Sequence, residues 1–181
     1  MIHSKQGFTL YELLITLALV TILAGAAVPA FGIYLAKSRQ TVEINALFHA
    51  VHRARKASIM RRKVVSICPT PDGLQCGVMT DWSTGWLLFE NTDADSPPQV
   101  DDGEPILARH PVDAAVGIVA NRRGFTLRAT VKRATNGTLV VCDRTGRAAP
   151  RALVISYTGR PRMARERPDG TPYVCPHYVH Q

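Results

Sequence analysis

From Phe8 to Phe31 the chain reads FTLYELLITLALVTILAGAAVPAF, and Glu12 is its only charge. At about 1.5 Å per residue, a helix of this length crosses a hydrocarbon core of roughly 30 Å. The run therefore predicts a membrane-spanning helix. An ordinary export signal has a shorter apolar core followed by a small-residue cleavage site, whereas this run continues into helix-like sequence. Glu12 is the anomaly, because a carboxylate in hydrocarbon costs a few kcal/mol unless it finds a partner. Its place near the start of the run lets it reach water. The sharper solution is a positive group at the same depth, and a newly exposed amine on Phe8 supplies one. Gly25 and Pro29 weaken the helix, and Pro29 also removes a backbone donor, so a local bend or melted turn is expected there.

Further along, Ile44, Leu47, Phe48, Val51, Ala54 and Ser58 recur at helical spacing and form an amphipathic stripe. The remaining face carries Lys37, Arg39, Arg53, Arg55, Lys56, Arg61 and Arg62 and reads as a solvated flank. One long helix from about Phe8 to about Arg62 follows, its second half packed on a globular domain. After Lys63 the period shortens to VVSIC, GWLLF, AVGIV, FTLRATVKR, TLVVC and ALVISY, separated by turn residues. That pattern predicts antiparallel sheet, with Asn136-Gly137 as a hairpin turn. The fold class is thus α+β, with residues 8–35 an apolar helix, 36–62 its amphipathic continuation and 63–181 a β-rich domain.

Charge is segregated along the chain. Residues 36–63 carry a net +7, residues 64–108 hold eight acids and no base, and residues 109–181 carry a net +9. A segregated basic field attracts polyanions. The acidic stretch NTDADSPPQVDDGEP, residues 91–105, reads as a surface loop. Asn91, Asp93 and Asp95 begin like a calcium loop, but Ser96 stands where such a loop needs glycine.

Four cysteines, Cys68, Cys76, Cys142 and Cys175, follow a segment of export or membrane type, so they are expected to be oxidised. Three connectivities exist. The short span from Cys68 to Cys76 favours a local bridge and leaves Cys142 with Cys175. Cys142, Cys175, His177 and His180 match no common zinc spacing, and no metal or cofactor is expected. Neither a nucleophile with a partner pattern nor a phosphate-cradling glycine loop occurs, so no enzyme is expected.

The N-terminal sequence KQGFTLYELLITLALVTILAGAAVPAF resembles the leader and first helix of type IV pilins and type II secretion pseudopilins. The resemblance implies a leader over residues 1–7, cleavage by prepilin peptidase between Gly7 and Phe8, and N-methylation of Phe8. It also implies insertion of Glu12 as the assembly acid into a filament of other major and minor pilins. Such a subunit is a single-pass protein of the inner membrane with a periplasmic globular domain before it joins the pilus. The run SICPTPDGLQCGVMTDWSTGWLLFEN, followed by GRPR near the C-terminus, is similar to the FimT and GspH branch of that family. GspH-like members are tip pseudopilins of a secretion machine. Some FimT-like members bind DNA in natural transformation through a Gly-Arg-x-Arg motif, which Gly159, Arg160, Pro161 and Arg162 match.

The motif lies within GRPRMARERPDG, residues 159–170, which holds Arg160, Arg162, Arg165 and Arg167. An arginine's planar fork engages phosphate in two directions, where lysine offers a point charge. The run is expected to be a stiffened loop, anchored by a Cys142 to Cys175 bridge. Lys132 and Arg133 are expected to extend the patch, with Arg144, Arg147 and Arg151 as further candidates and Tyr157 and Tyr173 as flanking aromatics. The alternative is that these arginines pair with acids of residues 72–104 and keep a structural tip subunit soluble.

Overall fold

The computed structural model describes residues 9–129 and 134–175. The helix α1 spans Leu10–Arg61, and it is followed by β1 (Val65–Pro69), β2 (Gly85–Glu90), β3 (Ile106–Pro111) and β4 (Val116–Ala120). Then come β5 (Phe125–Leu127), β6 (Gly137–Asp143), β7 (Arg151–Ile155) and β8 (Pro161–Ala164). The chain forms two compact units, Met1–Leu35 and Ala36–Gln181.

In the first unit α1 begins where the Thr9 hydroxyl accepts the Glu12 amide at 3.3 Å, an N-cap that satisfies an otherwise orphan donor. Thr16 and Thr21 donate their hydroxyls to the carbonyls of Leu13 and Ala18, so these polar groups are satisfied within the apolar run. Leu10, Leu14, Leu17, Val20, Leu23, Val28 and Phe31 are all exposed, and the helix is long and apolar enough to cross a membrane. The melted turn expected at Pro29 is absent, because α1 runs through it as helix. The missing Pro29 donor and the ring's crowding both fall on the carbonyl four residues back, at Gly25.

In the second unit the stripe goes where its spacing sends it. Ile44, Leu47, Val51 and Ala54 are buried with Val65, Ile67, Trp82, Ile118, Phe125, Leu139, Val141 and Leu153 in one core. Two antiparallel four-stranded sheets supply the other side of that core, in the orders β3-β2-β1-β5 and β4-β6-β7-β8. Residues between β1 and β2 stitch the sheets together. Trp82 and Ala120 donate their amides to Ile118 O and Thr80 O, and Asp81 bridges Val119. From the helix, buried Gln40 donates to the carbonyls of Val141 and Ala149, both at 2.9 Å, and fixes α1 against the second sheet. Glu43 accepts the Asp113 amide and meets His110 Nε2 at 2.9 Å, which fixes it against the first.

Three details differ from the sequence expectation. β5 and β6 lie in different sheets, so Asn136-Gly137 is no hairpin turn. Gly137 opens β6 instead, where a Cβ would fall 2.4 Å from Asn121 Oδ1 and 2.9 Å from Phe125 Cε1, so tight packing demands the glycine. β3 and β8 had no apolar run to announce them. They are edge strands, where a mixed sequence and a leading proline are tolerated. The arginine run is correspondingly half strand and half turn.

Candidate nucleic-acid interface

The arginines emerge from the β7–β8 hairpin. Gly159 donates its amide to Ser156 O at 2.8 Å, and Ser156 donates to Arg160 O at 3.1 Å. The Arg160 amide in turn donates to Ser156 Oγ at 3.2 Å. Gly159 sits at φ +69°, and a Cβ there would lie 3.1 Å from Leu127 Cδ2. The left-handed backbone favours glycine, and a larger residue would also have to displace the Leu127 side chain slightly. Pro161 pairs with Ile155 and is buried, while Arg162 stands opposite Val154. The proline at the head of an edge strand forfeits no ladder bond to a further strand, and it holds the backbone between Arg160 and Arg162 stiff.

Arg160, Arg162, Arg165 and Arg167 are exposed. Among the described residues, no carboxylate lies within ion-pair distance of Arg160, Arg162 or Arg165. Among the described residues, none of the acids of residues 72–104 forms an ion pair with these arginines. Glu90 holds Arg61 and Lys63, and Asp72 caps its own turn. Arg167 is placed differently from the other three. Its guanidinium lies over the Tyr173 ring, 5.7 Å from the centroid, a cation–π arrangement. Tyr173 is buried, so its ring serves Arg167 and not an incoming base; Tyr157 is exposed.

After β8 a turn at residues 167–170 returns the chain, with Gly170 donating to Arg167 O and Arg167 to Thr171 O. Thr171 bonds to the Asp169 carboxyl hold it below its ordinary range, helped by the nearby Arg167 charge. The segment ends at Cys175, bonded to buried Cys142 of β6; Cys68 bonds Cys76 in the same way near β1. Beside Cys142, burial pushes the Asp143 carboxyl up, but bonds from Thr145, Arg147 and Ala148 outweigh it and hold the group low. Asp143 thereby shapes the turn that presents Arg144 and Arg147.

The other candidates distribute unevenly. Arg151 donates to Thr41 Oγ1 of α1 at 3.0 Å and is occupied there. Lys132 and Arg133 lie outside the described residues, as do Gly7, Phe8, His177 and His180. Glu12 lies in the first turn of α1. In the acidic loop, oxygens of Asp93, Asp95 and Asp101 lie within 4.8 Å of one another. Burial first, then neighbouring carboxylates, raises both Asp95 and Asp101. Asn91 turns its amide nitrogen toward Asp95 Oδ1 at 2.8 Å.

Sequence reasoning treated the helix flank as solvent-facing throughout. The structure brings Arg160 next to His52, Arg55 and Lys56 of α1, around an open groove. Only a helical period could have shown that His52, Arg55, Lys56 and Ile59 share a face, and nothing in the period shows what lies against it.

Comparison with known proteins completes the picture. The family model for type II transport protein GspH matches residues 43–159, and that for the prokaryotic N-terminal methylation motif matches residues 2–28. No curated protein matches significantly. Among solved structures, the chain resembles the minor pseudopilin EpsH of the Vibrio cholerae type 2 secretion system. The identity is 8%, the match covers 70% of this chain and 96% of that one, and the TM-score is 0.50. It also aligns with the type IV minor pilin FimU of Pseudomonas aeruginosa PAO1 at 20% identity, over 71% of this chain and 91% of that one, with a TM-score of 0.49. The likeness to EpsH extends to the fold alone. The GspH match ends at Gly159. With that model spanning most of the globular unit and the methylation motif heading α1, the chain belongs to the GspH family, as a pilin or pseudopilin subunit and not an enzyme.

Proposed function

We propose that the protein is a minor type IV pilin that binds extracellular DNA for uptake in natural transformation. The observation that carries this reading is the β7–β8 hairpin. Three exposed arginines, Arg160, Arg162 and Arg165, stand on a backbone stiffened by Gly159 and Pro161 and lack a carboxylate among the described residues. Arg167 is assigned to the same contact, and Lys132 and Arg133, which lie outside the described residues, are assigned to it from the sequence alone. Contacts go mainly to phosphates, and sequence preference is weak.

The remaining roles follow from the pilin reading. Prepilin peptidase cuts between Gly7 and Phe8 and methylates Phe8. The amine so formed neutralises Glu12, either its own or a neighbour's, as subunits enter the filament, because an unpaired carboxylate there is costly. The protein waits in the inner membrane with its globular unit in the periplasm and then joins other pilins in the pilus. A second reading, a structural tip or priming subunit without DNA binding, has the GspH family match in its favour.

The deciding experiment measures affinity for a labelled DNA duplex across a salt series, for the wild type and for Arg160→Gln with Arg162→Gln. With about four phosphates engaged, log affinity falls with log salt at a slope of about −3 to −4, and the double variant is shallower by about two. Equal binding by a folded double variant, or none at low salt, returns the hairpin to the structural reading.

A further inference from the structure

The groove beside Arg160 has an unusual composition. It is open, has a volume of about 400 Å³, and is lined by His52, Arg55, Lys56, Ile59, Met60 and Arg160. No acid lines it. Among the described residues, no carboxylate lies within ion-pair distance of Arg55, Lys56 or Arg160. On α1, positions 52, 55, 56 and 59 fall on one face, and Met60 follows Lys56 by one turn. Like charges so placed repel one another, and the fold does nothing to relieve them, whereas one turn further on it gives Arg61 and Lys63 the buried Glu90. Its apolar lining is Ile59 and Met60, both more than half exposed.

We infer that this groove is a second phosphate-backbone site, continuous with the arginine hairpin, so that one DNA molecule runs from Arg162 past Arg160 and across the basic face of α1. The inference rests on the DNA reading and extends it. Arg160 belongs to both places, which fixes the direction in which a bound strand leaves the hairpin. The cations of the lining take the phosphates, and Ile59 and Met60 take sugar faces, which present carbon to the surface between charges. An open trough admits a passing polymer, where an enclosed cavity would hold a small molecule. Walls of one sign also concentrate the field inside it.

The test uses the full chain in nonionic detergent micelles and a short labelled duplex of mixed sequence. Three double variants are compared with wild type, each checked for an unchanged thermal transition: R55Q/K56Q in the groove, R160Q/R162Q in the hairpin, and R109Q/R123Q as a control of equal charge change. In R55Q/K56Q the affinity falls roughly tenfold at low salt and the salt slope becomes shallower by about two, while the control keeps the wild-type slope. If R160Q/R162Q loses affinity and R55Q/K56Q does not, the groove proposal is wrong and the hairpin reading stands. If no variant matters, or wild type does not bind, the DNA reading fails and the groove proposal with it. If R55Q/K56Q binds DNA normally but is lost from filaments, the groove docks an acidic pilin surface, and the proposal is overturned in favour of that partner.

Discussion

Two sets of cations on this protein meet opposite fates. At the end of α1, Arg61 and Lys63 close on the carboxylate of Glu90, which is 2% exposed at the end of β2. On the β7–β8 hairpin, Arg160, Arg162 and Arg165 project with no such acid among the described residues. Net charge treats both sets alike. Their neighbours do not: the first set neutralises a buried acid and ties the helix end to the first sheet, and the second leaves a field open to a ligand. A basic protein therefore cannot be read from its total, because part of the total is already spent internally.

The largest expected effect comes from releasing the segment that follows the open set. Replacing Cys142 and Cys175 together by alanine reopens a loop of 33 residues. In the chain-entropy picture this destabilises the second unit by about 3–4 kcal/mol. Removing Cys68 and Cys76, with a separation of 8, costs less, about 2–3 kcal/mol. Denaturant unfolding of the fragment from Ala36 orders the two. The first change also lowers DNA affinity, since Arg165 and Arg167 then pay ordering entropy on binding. If affinity stays the same, the tail arginines are not part of the contact.

The locked set predicts a smaller effect with a definite pH dependence. The bond from Lys63, with that from Arg61, holds the Glu90 carboxyl below its ordinary range although burial pushes it up. A group with a depressed folded pKa binds more protons when unfolded, so its stabilisation is present at neutral pH and fades as pH falls through the carboxylate range. Glu90→Gln is expected to cost about 1–2 kcal/mol at pH 7, below the value for a fully buried pair because both cations are half exposed. Near pH 3 the difference from wild type shrinks. A loss that is constant with pH would mean that the carboxamide's fit, and not its charge, is the cause.

How much of this was legible in the sequence depended on range. The stripe of α1 was, because Ile44, Leu47, Val51 and Ala54 follow the helical period and the core takes them all. So was the short Cys68–Cys76 bridge, and with it the remaining pair. β8 was not, since Pro-Arg-Met-Ala has no alternation to read and owes its strand to β7 beside it. Asn136-Gly137 misled because a local turn preference lost to a tertiary demand for space at Gly137. Of the site, the arginine identities were legible and their neighbours were not. Which acids would reach Arg61 and Lys63, and that Arg160 would stand beside Lys56, depend on contacts between elements distant in the chain.

The smallest effect is the one that separates the two sets most cleanly. Lys63→Gln removes one cation from Glu90, its Nζ lying 2.8 Å from Oε2, and leaves Arg61 in place. Because Lys63 is about half exposed and Glu90 keeps a partner, the cost is about 0.5–1 kcal/mol. For DNA, Lys63 is tied to Glu90 and lines neither the hairpin nor the groove, so the salt slope should stay close to wild type although one positive charge is lost. Arg162→Gln should behave in the opposite way, with little change in stability and a slope shallower by about one. A Lys63 variant that shifts the slope as much as the Arg162 variant would show that total charge, not the unpaired arginines, governs binding, and the distinction between the sets would lose its functional meaning.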